Sequence, residues 1–157
     1  IPCIRCGDVT DLEIQKMGLE LSPENEKNVR ENLRKEFGMN AYAVKSEPRI
    51  YEMLKSSDII ALDGLYSWEE FIYLKDKYPQ LLLIHIYAEP AIRYARLGAR
   101  HIRPVPIENA RARDISEFEN LNKGGPIALA DFVVENNSDN TDNLHEKLDM
   151  LFERISQ

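Results

Sequence analysis

The chain has 157 residues, 43% hydrophobic and 30% charged, with 20 Lys and Arg against 27 Asp and Glu for a net charge of -7. That length makes one domain with a real core the expectation, and the composition excludes a disordered or fibrous chain. The negative charge excludes a general attraction to nucleic acid or anionic membrane. The longest apolar run, Leu81 to Ile84 continuing past His85 to Ile86, is too short to span a bilayer. With no signal peptide or lipidation motif in these residues, a cytoplasmic location is the default expectation.

Ile1 to Cys6 reads as a short strand ending in Gly7-Asp8. Cys3 and Cys6 form a lone C-x-x-C, a spacing seen in redox and metal sites. On a strand, however, residues three apart point to opposite faces, so two packing cysteines are the expectation. Thr10 with Glu13 in the capping-box position predicts a short helix stopped by Gly18. A better marked helix follows: Ser22 as cap, Pro23 at its first position, Glu24 and Glu26 at the positive end, Gly38 as the stop. Val29, Leu33 and Phe37 give it a narrow apolar stripe. Arg30 and Arg34 share another line of that helix, where they can bind an acceptor phosphate or simply sit solvated or ion-paired. Asn40 caps a helix running toward Lys55, which Pro48 should kink or split.

Asp58 to Leu62 is apolar after its first residue and ends in Asp63-Gly64, the pattern of a parallel strand buried on both faces. In open α/β sheets ligands sit outside the carboxyl ends of strands, which puts Asp63 at the mouth of a site. Ser67 and Glu70 form a capping box for a helix from Trp68 to Tyr78, with Phe71, Leu74 and Tyr78 inward. Leu81 to Ala88 is a further apolar strand, with His85 expected in the core.

Arg93, Arg96, Arg100, Arg103, Arg111 and Arg113 then fall within 21 positions, a basic stretch in an acidic chain. The first three ride a helix opened by Glu89-Pro90. Pro104 and Pro106 interrupt helical structure, and a second helix resumes at Ile107 through Ala110, Ile115, Phe118 and Leu121 until Gly124-Gly125. Two arginine-bearing helices about a proline-rich joint, 93–122, have the design of a lid that closes over a polyphosphate. Pro126 to Ala130 predicts one short helical turn, Phe132 to Glu135 a last strand, and Thr141 the cap of a final helix facing the core with Leu144, Leu148, Leu151, Phe152 and Ile155. Strands alternating with helices point to an α/β sheet with right-handed crossovers. Carboxylates at strand ends together with a mobile arginine segment suit phosphoryl transfer.

Asp63-Gly64 after a hydrophobic strand, Arg96-Leu97-Gly98-Ala99-Arg100, Arg113-Asp114 and Ala130-Asp131-Phe132-Val133-Val134-Glu135-Asn136 resemble, in order, motifs of P-loop kinases related to dephospho-coenzyme A kinase and adenylate kinase. The resemblance covers nearly the whole chain and implies a three-layer α/β/α parallel sheet with helices on both faces and an arginine-rich helical lid. It implies one nucleotide-kinase-like domain over 1–157, with 10–56 as the helical acceptor-binding region. It further implies an ATP-dependent phosphotransferase using Mg2+ on a small nucleotide-like acceptor, of the dephospho-coenzyme A or nucleoside and nucleotide type. Carried over by position, Asp8 matches the general base toward an acceptor hydroxyl, and Asp63 the acid near the magnesium and acceptor. Arg96, Arg100 and Arg113 match the lid arginines, and Gly125, Pro126, Ile127 and Ala128 part of an adenine pocket. Helix capping and turn formation are the plainer roles for Asp8 and Asp63.

Two departures stand out. Relatives carry an arginine shortly after Asp-Gly, whereas Tyr66 and Ser67 follow Leu65 here, so acceptor recognition is expected to differ, at Gly64 and with Tyr66 or Trp68 as a stacking or hydrogen-bonding surface. Residues 1–157 also lack the G-x-x-x-x-G-K-[ST] loop that cradles donor phosphates. Because the chain starts at Ile1 rather than methionine, the expectation is an N-terminal segment ahead of Ile1, or a strand from another chain. Either would fill a slot between the strand ending at Asp63 and the one beginning at Leu81. A non-catalytic nucleotide-binding regulatory protein of the same fold is the alternative function, and a module binding an acidic partner through its arginines the second.

Overall fold

The computed structural model describes residues 1–102 and 104–155; the expected role of Arg103 in the basic stretch lies outside them. The protein is mixed α/β and packs as two compact units. Ile1–Leu81 with Leu121–Lys123 forms one, and the remainder of the chain the other.

The first unit is built on two parallel strands, β1 (Cys3–Arg5) and β2 (Ala61–Asp63), paired Cys3 to Ala61, Ile4 to Leu62 and Arg5 to Asp63. Helices α1 (Asp8–Lys16), α2 (Pro23–Phe37), α3 (Ala41–Leu54) and α4 (Trp68–Lys77) complete it. The cap of α2 is as the sequence dictates: Ser22 accepts from the Asn25 amide at 3.2 Å and Pro23 occupies the first turn, where its missing N–H costs nothing. Thr10 does something else. The helix begins two residues earlier, at Asp8, so Thr10 lies inside α1 and its hydroxyl sits 2.6 Å from that of Tyr42. Pro48 does not split α3, which runs unbroken through it. Tyr42, Ala43, Ser46 and Ile50 are buried along one face of that helix, and that packing outweighs the lost hydrogen bond, a cost of about 3 kcal/mol.

Two apolar clusters hold this unit. Cys6, Val9, Ile14, Val29, Leu33, Ala41 and Tyr42 join α1, α2 and α3. Ile4, Ala43, Ile50 and Leu74 centre the other, with Ile60, Leu62 and Leu65 against them. Strand β2 itself is less covered than its apolar sequence predicts: Leu62 is half-buried, and Ala61 and Asp63 are exposed. Its sheet has two strands, so β2 has β1 on one edge and, among the described residues, no strand on the other.

The second unit pairs β3 (Ile84–Tyr87) and β4 (Phe132–Glu135) in parallel, Ile84 to Phe132 and Tyr87 to Glu135. The three-layer parallel sheet expected above is therefore seen only as two short parallel pairs. Helices α5 (Pro90–Gly98), α6 (Ile107–Leu121), α7 (Gly124–Ala128) and α8 (Thr141–Ile155) follow in the chain, and α8 packs on β4. Helix α6 ends before Gly124-Gly125, at Asn122, whose φ of 51° is the left-handed helix-ending conformation that Asn tolerates. The cap of α8 is supplied by Asn140 rather than Thr141: its Oδ1 accepts from the Asp142 amide at 2.8 Å. His85 is half-buried, edge-on to the Tyr87 ring. No helix among the described residues is long and apolar enough to cross a membrane.

Candidate functional site

Parallel pairing brings the carboxyl ends of β1 and β2 side by side, and the Cys6 amide continues the ladder by donating to the Asp63 carbonyl at 2.8 Å. The chain leaves β1 through Cys6-Gly7 into Asp8 at the start of α1, and leaves β2 through Asp63 into Gly64. Two carboxylates are thereby delivered to the strand-end edge where α/β ligands bind. Asp63 is exposed. Asp8 is half-buried and paired: Arg49 Nη2 donates to its Oδ2 at 3.2 Å, and Arg5 Nε lies 3.5 Å from its Oδ1. A depression of about 430 Å³ opens here, lined by Asp8, Asp11, Leu12, Gln15 and Arg49.

Gly64 has φ of 93°, a region that residues with a Cβ avoid, and an added Cβ would stand 3.2 Å from Tyr66 Cε2. Glycine therefore lets the chain turn tightly after Asp63 with the Tyr66 ring folded against it. Lys123 also sits over that ring, its Nζ 4.9 Å from the centroid. The turn is held by the capping box of α4. Ser67 Oγ accepts from the Glu70 amide at 3.0 Å and donates to the Met39 carbonyl at 2.9 Å. Glu70 Oε2 accepts from the Tyr66 and Ser67 amides at 2.8 and 3.2 Å. Glu70 is only 2% exposed. Burial raises its carboxyl above the ordinary range, while the two amides and the nearby charge of Arg34 pull the other way.

Of the two arginines on α2, Arg34 turns inward, its guanidinium 5.4 Å from the Tyr42 ring and its Nε buried without a hydrogen-bond partner. Arg30 is partly exposed and ion-paired to Glu26 at 3.7 Å. Cys6 is buried beside Ser46, and burial pushes its thiol up to about 11, so it behaves as a packing residue. Cys3 is exposed.

The remaining sequence-predicted residues belong to the second unit. Arg96 binds the loop after β4: it donates to the Asn136 carbonyl at 2.6 Å and to the Ser138 carbonyl, with the Asp139 carboxylate 3.7 Å away. Arg93 is ion-paired to Asp114, which also accepts from the Tyr94 hydroxyl at 2.7 Å. Arg113 donates to Glu117 at 2.8 Å. Arg100 lies beyond the end of α5 and is exposed. Gly125 to Ala128 fall in α7, with Pro126 buried and Ile127 exposed.

Sequence reasoning missed Arg49 and Tyr42, and saw Glu70 only as a cap. A signal existed. Tyr42, Ser46 and Arg49 recur at helical spacing beside the apolar Ala43, Ile50 and Met53, polar groups set next to an inward face. The expectation of a break at Pro48 concealed it.

Among curated proteins, a UPF0200 protein of Methanocaldococcus jannaschii is 38% identical over 157 residues, spanning 99% of this chain and 78% of that protein. A UPF0200 protein of Thermococcus kodakarensis is 34% identical over 140 residues, 87% of this chain and 75% of the relative. One from Methanococcus vannielii is 34% identical over 157 residues, 99% and 83% of the two. No family model matches the chain.

Proposed function

The chain belongs to the UPF0200 protein family, and from that premise we propose that it is an ATP-dependent phosphotransferase acting on a small nucleotide-like acceptor, with the three-layer P-loop kinase architecture. The observation that carries this reading is the adjacency of the β1 and β2 carboxyl ends, which sets Asp8 and Asp63 at one edge. In phosphoryl transfer the protein mainly positions the reactants and neutralises charge, so such an edge has the parts the chemistry needs. Asp8 takes the proton of the acceptor hydroxyl. Asp63 fits a magnesium site, because Mg2+ keeps most of its waters and needs only one or two carboxylates beside the phosphates. When bound, the ion neutralises charge on the transferring group.

Arg34 and Arg49 flank the acceptor side, and Tyr66 offers it a ring and a hydroxyl. Arg96, Arg100 and Arg113 belong to the lid. Gly125 to Ala128 serve the adenine. The glycine-rich cradle for the donor phosphates is not among residues 1–157; these residues carry the acceptor, the metal, the adenine and the lid. In the protein as its source cell makes it, ATP turnover should appear with dephospho-coenzyme A or a nucleoside or nucleotide acceptor. Asp8→Asn and Asp63→Asn should each lower kcat about 100-fold or more. Transfer to none of these acceptors would overturn the enzyme reading.

One observation favours the regulatory alternative. Asp8 is already engaged by Arg49 and Arg5, and Arg96 by two backbone carbonyls. A nucleotide-binding protein that signals occupancy would keep its charges paired in this way. It would bind ATP with unchanged affinity when Asp8 is replaced by Asn, and would transfer nothing.

A further inference from the structure

The turn after β2 hangs on one buried carboxylate. Glu70 Oε2 receives both the Tyr66 and the Ser67 amide, and Glu70 Oε1 is buried with no hydrogen-bond partner. Among the described residues no cation reaches Glu70 within ion-pair distance. Four ionisable side chains nevertheless act on it. Arg34 on α2 favours its charge, whereas Glu69 on α4 opposes it. Tyr42 on α3 and Cys6 after β1 each have their own ionisation raised by it. A carboxylate that is desolvated, half-satisfied and without a direct counterion is costly to keep ionised.

We infer that Glu70 is a positioning residue and a proton-operated clamp. Ionised, it holds the Gly64–Ser67 turn through two charge-assisted amide bonds; protonated, it releases that turn. Adding a proton to a buried oxygen creates a donor with no acceptor at Oε1 and removes the charge that strengthens both amide bonds. The turn then keeps the Ser67 hydroxyl contacts and the flanking backbone bonds at Asp63 and Ser67, but nothing holds the Tyr66 amide, and the Tyr66 ring loses its fixed place over Gly64. Because burial favours the neutral form, release begins above the ordinary glutamate range. The clamp does not depend on any reaction. Its consequence for activity rests on reading Asp63 and Tyr66 as site residues.

A built-in reporter exists: Trp68 is the only tryptophan, directly follows Ser67 and lies 5.8 Å from the Phe71 ring at a tilt of 46°. Its emission, followed from neutral pH downward on the protein without nucleotide, should show a transition with its midpoint above the ordinary glutamate range. Glu70→Gln should abolish that transition. Arg34→Met should move it to higher pH by removing the cation that favours the carboxylate, and Glu69→Gln should move it lower. A transition that survives Glu70→Gln, or opposite shifts in the other two variants, would overturn the clamp. Should Glu70→Gln fail to fold, the opposed shifts of Arg34→Met and Glu69→Gln decide the matter. No turnover is needed, so failure here is separable from failure of the kinase reading.

Discussion

The two units bury their side chains very differently. Ile4, Ile14, Ala43, Ile50, Leu74 and Glu70 are all at or below 2% exposure in the unit of β1 and β2. Among the described residues, the unit of β3 and β4 buries only Ala110, Pro126 and Val134, and α5 and α8 have no buried residue at all. The division follows the chemistry proposed above. The carboxylates stand on a frame fixed by apolar packing, whereas Arg93 and Arg96 are placed by hydrogen bonds to Asp114 and to the loop after β4. Packing contacts have no substitute in water, but a phosphate oxygen can replace a carbonyl on a guanidinium. On the kinase reading, groups required to stay still are thus held by burial, and groups required to move by exchangeable bonds.

The sharpest way to break this comparison is to truncate equivalent leucines. Leu74→Ala, in the fully buried centre of the first unit, should cost about 3 kcal/mol in denaturant unfolding. Leu148→Ala, on the half-buried face of α8, should cost about 1 kcal/mol. Equal losses would mean that the second unit is packed as firmly as the first and that its arginines are not held mainly by polar contacts. Next in size is Gly64→Ala. The positive φ and the 3.2 Å approach to the Tyr66 ring predict a loss of about 1–3 kcal/mol. Gly18→Ala shares the positive φ but meets nothing within 4 Å, so it should lose less. That difference measures how tightly the turn after Asp63 is drawn.

Much of this was legible from local signals. Ser22-Pro23, the Ser67 and Glu70 pair and the strand from Phe132 to Glu135 stand where short-range chemistry puts them, because a cap or a β-branched run needs no distant partner. Where tertiary contacts compete, the local reading failed. Thr10 looks like a cap, yet its hydroxyl is taken by Tyr42, 32 positions away. Pro48 reads as a break, yet Ser46 and Ile50 on either side of it are buried and carry the helix through. Strand β2 reads as covered on both faces, yet coverage depends on which strands neighbour it, and no run of residues states that. The placement of Asp8 and Asp63 beside the carboxyl ends of β1 and β2 was legible because strand ends are. Arg49 was not, since only folding brings α3 to the start of α1.

Charge supplies the smallest and most discriminating test. Arg49 and Asp8 in the first unit have side chains 37% and 32% exposed; Arg93 and Asp114 in the second have 39% and 36%. Exposure being nearly equal, solvent screens both pairs alike, and double-mutant cycles should return about 0.2–1 kcal/mol for each. Both couplings should shrink together as salt is raised. If the Arg49–Asp8 coupling proved several-fold larger, the first unit would owe its firmness to charge as well as to packing. Asp8 would then be too strongly committed to Arg49 to accept a proton from an acceptor hydroxyl. A coupling in the expected range leaves Asp8 free to exchange Arg49 for a substrate at little cost, which the kinase reading requires of a general base that rests in an ion pair.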